Sequence, residues 1–387
     1  MRLWTTVLPL LLFFNCLAGG ACAQGTAPPA PAKEELMAAL NEIFGFRARA
    51  LLTGAPPPLD KYYDTDTRLG RWALAHEQGK VSYVQAWAAK RGVRFVEANA
   101  ALRVPWWRWE KDAAELLVHH SLQLGYVYPG DAQINRFGIG TRHWMKLVKK
   151  DGRWLIQQDF YLDGLGDDSL AEKPTPADGP ALVQPVSGAE GEGREKKAPG
   201  TGPKVFDREG AVRYADKYAG LAWGAGNDHR YNSRYRDLND RGGDCTNFVS
   251  QCLGDREEGG RLPMDGTWYY RYDRQGGSGS RAWVQTEAFA RWLLYSGRAR
   301  RIARGTFAQV NQPTAAFPRG AVRELQKGDL IGYEEKGHIE HFAIVVGADS
   351  GGYPVVNAHT VDRYHCPWDI GWDKSTVFHL FKIRDEL

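Results

Sequence analysis

The stretch with the most chemical content is Gly242-Gly243-Asp244-Cys245-Thr246-Asn247-Phe248-Val249-Ser250-Gln251-Cys252-Leu253. The paired glycines permit a tight turn and end whatever precedes them. Beyond them Phe248, Val249, Cys252 and Leu253 have the spacing of a buried helix face, so Cys245 falls at or one residue from the helix N-terminus. Free amide N–H groups and the helix dipole lower the pKa of a thiol placed there, and the same amides can stabilise an oxyanion. Asp244 opposes a thiolate unless its carboxylate turns to cap the helix. Cys252, on the same stripe as Cys245, reads as a small core residue.

A nucleophilic thiol needs a base. Gly328 to Tyr333 reads as a strand, Glu334 to Gly337 as its turn, and His341 to Gly347 as a second strand with His341 at its head. Tyr353 to His359 returns as a third, which brings residues 357 to 360 back beside 341. Asn357 and His359 share a face, being two apart, and either could hold the far nitrogen of His341 and fix its tautomer. The structural alternatives are a buried thiol at 245, a satisfied strand histidine at 341 with His338 as base instead, and an edge amide at 357. His338, His341 and Cys366 carry no HExxH or paired Cys-x-x-Cys pattern, so neither metal nor cofactor is expected.

These residues sit in a chain of 387, long enough for two or three domains, with the 43% hydrophobic and 25% charged content of a globular protein. The net charge of +4 is too thin for nucleic acid to be the main partner. Met1-Arg2, an apolar run to Leu17 and Ala21-Cys22-Ala23 before Gln24 predict a signal peptide over residues 1–23, with lipid modification at Cys22 as the competing reading. No later segment reaches transmembrane length, so export without an integral membrane segment is expected. The closing Arg384-Asp385-Glu386-Leu387 has the form of an endoplasmic-reticulum retrieval tail, a form that arises easily by chance. Cys245, Cys252 and Cys366 are then the mature cysteines, an odd number that does not suit a disulfide-stapled scaffold.

Helical spacing at Leu36, Leu40, Ile43, Phe44 and Leu51, and again from Leu59 to Trp87, precedes strand-like runs at 93–104, 113–128, 137–148 and 154–161. Lys150-Asp151-Gly152 is the expected hairpin turn of the last pair. Residues 33–165 thus read as an α+β domain, and the Pro- and Gly-rich stretch 166–204 as an extended, solvated linker to a domain at 205–387. His119, His120 and His143 are expected on strand faces, with a pocket lining as the alternative.

Phe137-Gly138-Ile139-Gly140-Thr141-Arg142-His143 and Asp151-Gly152-x-Trp154-x-Ile156 resemble the strand pair of nuclear-transport-factor-2-like or SnoaL-like cone folds that precede amidase domains in secreted bacterial proteins. The Gly242–Gln251 motif resembles the signature of that amidase-domain family. So do Trp268-Tyr269-Tyr270, Ser280-x-x-Trp283, Gly328-Asp329-Leu330-Ile331 with His341, and Ala358-His359-Thr360. The family is similar to CHAP and NlpC-type amidohydrolases, whose papain-like α+β fold packs a helix-borne Cys on an antiparallel sheet carrying the His. The resemblance implies Cys245 as nucleophile and His341 as base, with Asn357 at the position of the orienting residue. His359 competes for that role, and Asp244 is a tuning or capping residue.

The activity expected is that of an exported cysteine amidohydrolase acting on cell-wall peptide or a related amide in the bacterial envelope. An inactive wall-binding or structural module and an acyl transferase using the same Cys-His site are the alternatives.

Overall fold

The computed structural model describes residues 30–53, 58–165, 175–178, 206–273 and 276–386. The signal segment, Cys16, Cys22, most of the linker and Leu387 lie outside the described residues.

The helical spacing near the N-terminus forms α1 (Ala30–Ala50) and α2 (Arg68–Arg91). Thr67 caps α2 by accepting from the Gly70 N–H, and Gly92 ends it at φ 65°, where glycine lacks the Cβ penalty. Four strands follow: β1 (Arg94–Glu110), β2 (Ala113–Val127), β3 (Asn135–Lys150) and β4 (Arg153–Phe160). Asp151 and Gly152, both at positive φ, turn β3 into β4 as their sequence predicts. Alternation along β2 and β3 puts Leu116, Val118, Met145 and Leu147 under α1, against Leu40 and Phe44.

The second half of the chain contributes α3 (Arg208–Lys217), α4 (Cys245–Gly254), a short ribbon of β5 (Tyr270–Arg271) and β6 (Ser278–Gly279), then α5 (Arg281–Val284) and α6 (Thr286–Tyr295). After these come β7 (Ala299–Thr306), α7 (Phe307–Asn311), β8 (Leu330–Glu335), β9 (His338–Ala348), β10 (Pro354–Ala358), β11 (Asp362–Pro367) and β12 (Val377–Ile383). Phe248, Val249 and Leu253 of α4 share a core with Phe342, Ile344 and Val355, so α4 lies on one face of β8–β10.

The two halves are one sheet. Its ten strands run β1-β2-β3-β11-β10-β9-β8-β12-β7, all ladders antiparallel, with β4 along the second half of β3. Gly138 to Gly140 of β3 pair with Asp362 to Tyr364 of β11. The glycines of the Phe137–His143 motif admit a further segment, residues 221–223, onto β3 beside this pairing. A Cβ on Gly138 would lie 2.1 Å from the Trp223 carbonyl oxygen, and one on Gly140 2.5 Å from the Leu221 carbonyl carbon. Only glycine lets that segment lie directly on the strand. Arg142 and Asp362 pair beside it, at 3.2 Å.

The linker departs from expectation where it is described. Pro176 and Ala177 are buried, because the Lys90 ammonium and the Arg91 guanidinium of α2 donate to their carbonyl oxygens.

Candidate active site

Cys245 is the first residue of α4, and every residue of that helix is buried. Gly242 and Gly243, at φ 103° and 119°, turn the chain into it, a conformation in which a side chain is strained. Gly243 also lies against Thr360, whose hydroxyl oxygen accepts from the Asp244 N–H at 2.6 Å.

The Cys245 thiol is free and 7% exposed. Burial raises its pKa above the ordinary thiol value, and this outweighs the N–H groups of Phe342 and Thr246 and the Thr246 hydroxyl, which favour the thiolate. One amide of the helix end, that of Thr246, favours the thiolate, but the expected lowering of the pKa is not found, because the same packing excludes water. The Phe342 N–H places the thiol against β9 at the residue after His341.

His341 is also 7% exposed, and its Nε2 is fully buried without a hydrogen-bond partner. Burial, followed by the charges of Arg363 and His359, pushes its pKa down to about 3. Its ring lies against Tyr333 and Trp372, with centroids 5.6 and 5.5 Å away. At neutral pH the pair is thus thiol and neutral imidazole, with no Nε2–sulfur hydrogen bond.

Neither expected third member reaches that ring nitrogen. Asn357 sits opposite Ile344 rather than His341. Its Nδ2 donates to Asp216 at 2.9 Å and its Oδ1 accepts from the His365 N–H at 2.7 Å, so the amide ties β10 to α3 and β11. His359 has its Nε2 2.7 Å from the Tyr218 carbonyl oxygen and its Nδ1 2.6 Å from Asp244. It is sandwiched between Tyr231 and Phe248, at 3.8 and 3.9 Å.

Asp244 occupies the N-cap position but makes no side-chain bond to the helix backbone. Its Oδ1 instead accepts from the Leu238 N–H and Asn247 Nδ2, and the Trp283 indole donates to Asn247 Oδ1. This buried chain fixes the turn before Cys245. His338 is exposed, near Glu287. The described residues contain no group of three or more His, Cys, Asp or Glu that could hold a metal ion.

Trp268 and Trp283 are fully buried and stacked at 4.6 Å, as core rather than groove wall. Tyr333 pairs with His341 across the β8–β9 hairpin, whereas Trp372 and the charge of Arg363 carry no local sequence signal, because strand order alone brings them near His341. His119 is half-buried beside Arg103, whereas His120 and His143 face inward and join Thr141 and Asp159 in a buried network. The cavity they line is about 10 Å³, room for one water at most.

Residues 205–381 match the family described as "Putative amidase domain", which points to amide-bond hydrolysis in general. The chain is also similar to "Uncharacterized protein YhbB" of Bacillus subtilis (strain 168), 30% identical over 222 residues, which are 55% of this chain and 58% of that one. The chain thus spans just over half the length of that relative. No solved structure matches it.

Proposed function

We propose that the protein is an exported cysteine amidohydrolase that cleaves an amide bond in peptidoglycan peptide through Cys245 and His341. One observation carries the reading: a free thiol at the first position of a buried helix, seated against the residue that follows a histidine with an unpartnered buried ring nitrogen. Such orphaned groups are rare in folded proteins and concentrate at functional sites. The layout of α4 on the antiparallel β8–β10 supports a papain-like arrangement. The N-terminal apolar segment and the likeness to amidase domains of secreted bacterial proteins support the compartment and the substrate.

The neutral pair sets the order of events. As the substrate carbonyl approaches, the thiol proton passes to the His341 imidazole while the sulfur–carbon bond forms, so no standing thiolate is needed. Amides of the first turn of α4 stabilise the oxyanion. The imidazolium then protonates the leaving amine, the carbon–nitrogen bond breaks, and a thioester remains. Water, giving its proton to His341, hydrolyses the thioester and restores the thiol.

The test is turnover of purified wall fragments, with the acyl-enzyme sought by mass spectrometry. Cys245→Ala and His341→Ala should each lower turnover by at least about 10²-fold in folded protein. Cys252→Ala should keep it. Equal losses in all three would overturn the Cys245–His341 assignment, and a folded wild type that cleaves no wall amide would put the inactive binding module in its place.

A further inference from the structure

Tyr83, Trp87 and Arg91 of α2 recur at i, i+4 and i+8 and so share one helix face. All three grip the segment between β11 and β12. The Tyr83 hydroxyl donates to the Trp372 carbonyl oxygen at 2.7 Å and accepts from the Gly371 N–H at 2.8 Å. The Trp87 indole and the Arg91 Nε donate to Asp369 Oδ2 at 3.0 and 2.9 Å, and Tyr353 donates to its Oδ1 at 2.7 Å. On the same segment, Arg363 donates to the Ile370 carbonyl oxygen and, with its other nitrogen, to that of Gly164. What the segment carries is Trp372, stacked on Tyr333 at 4.2 Å and 15° and lying against His341.

We propose that the N-terminal part of the chain is a working part of the active site: Tyr83, Trp87 and Arg91 are positioning residues that hold Trp372 against His341. Trp372 and Tyr333 then keep the imidazole dry and in one orientation, a role that no polar third member fills. The clamp stands on its own contacts, and only its consequence for turnover rests on the Cys245–His341 reading. The other charged or titratable groups acting on the ring are Arg363 from β11 and His359 beyond β10, while the Cys245 thiol of α4 meets β9 one residue further on, at the Phe342 N–H.

The test is Tyr83→Phe in the full chain, which removes both hydroxyl bonds but keeps the ring in the core. Histidine ring NMR signals, with His341 assigned through His341→Gln, report the hydration of that ring. In the wild type His341 should stay neutral between about pH 5 and 8. In Tyr83→Phe its midpoint should rise into that window, and Cys245 alkylation near pH 8 should quicken by about threefold or more, with Cys252 and Cys366 unchanged. Trp372→Leu leaves α2 intact and should produce the same shift.

A lower melting temperature with His341 titration and Cys245 alkylation unmoved in Tyr83→Phe would reduce the clamp to a structural strut and overturn the proposal. The same null shift in Trp372→Leu would also overturn it. His341→Gln with full turnover would instead sink the dyad, while the titration still judges the clamp.

Discussion

His359 bridges Asp244 and the Tyr218 carbonyl oxygen with its two ring nitrogens, at 2.6 and 2.7 Å. A carbonyl only accepts, so Nε2 carries a proton, and a second proton is shared between Nδ1 and the Asp244 carboxyl. Burial raises the Asp244 pKa despite the pull of His359. The pair is neutral as a unit and holds the turn before the thiol. Removing either partner, as in His359→Ala or Asp244→Ala, should cost about 3 kcal/mol by leaving the other uncompensated. The double variant should cost well under the sum, as measured by urea unfolding in a double-mutant cycle.

The alkylation profile of Cys245 follows from its burial. With the thiol raised above its ordinary value, its rate should climb throughout the neutral range and level off only at alkaline pH. Cys366, fully buried and pushed up to about 11 by burial, should react more slowly still. Residue-resolved mass spectrometry after iodoacetamide reads this directly, and a plateau for Cys245 below about pH 7 would contradict it.

Acid should destabilise the protein in two stages. Burial holds His341 at about 3 and His119 at about 4, so their unfolded forms bind more protons below the ordinary value of 6.5. Their contribution is complete above that value and declines as pH falls toward the folded values. A second decline begins near the ordinary carboxylate range. There Asp163, held at about 2 by Lys80 and His76 against its burial, keeps its charge in the folded state while the unfolded chain takes up a proton. His76 has the opposite sign: burial opposes its charge, but Asp163 raises its pKa, so its stabilisation is present below the ordinary histidine value and lost as pH rises through the raised folded value. Urea midpoints across pH would show whether the first loss precedes the carboxylate range.

Two glycines should respond in opposite directions. Gly138→Ala drives a methyl group into the Trp223 carbonyl and should cost about 1–3 kcal/mol or more, pushing the 221–223 segment off β3. Gly79→Ala, in the interior of α2 with nothing within 4 Å, should stabilise by about 0.5–1 kcal/mol. Thermal melts of the two variants against wild type check both.

Local chemistry made much of this protein legible in its sequence. The glycine pair before Cys245, the apolar stripe through Leu253, the Asp151-Gly152 turn and the alternation along β2 and β3 each depend on residues within a few positions of one another. Both cysteine and histidine candidates were visible for that reason. What tertiary structure alone decided was register, environment and partnership. The pairing of β10 with β9 puts Asn357 opposite Ile344, and the stacking of His359 between Tyr231 and Phe248 removes it from His341. Burial turns an expected thiolate into a thiol, because desolvation depends on everything packed around an atom and not on its place in a helix. The clamp from Tyr83 to Trp372 joins residues 289 positions apart. No local spacing encodes such a contact: it exists because β3 and β11 close two stretches of chain into one sheet.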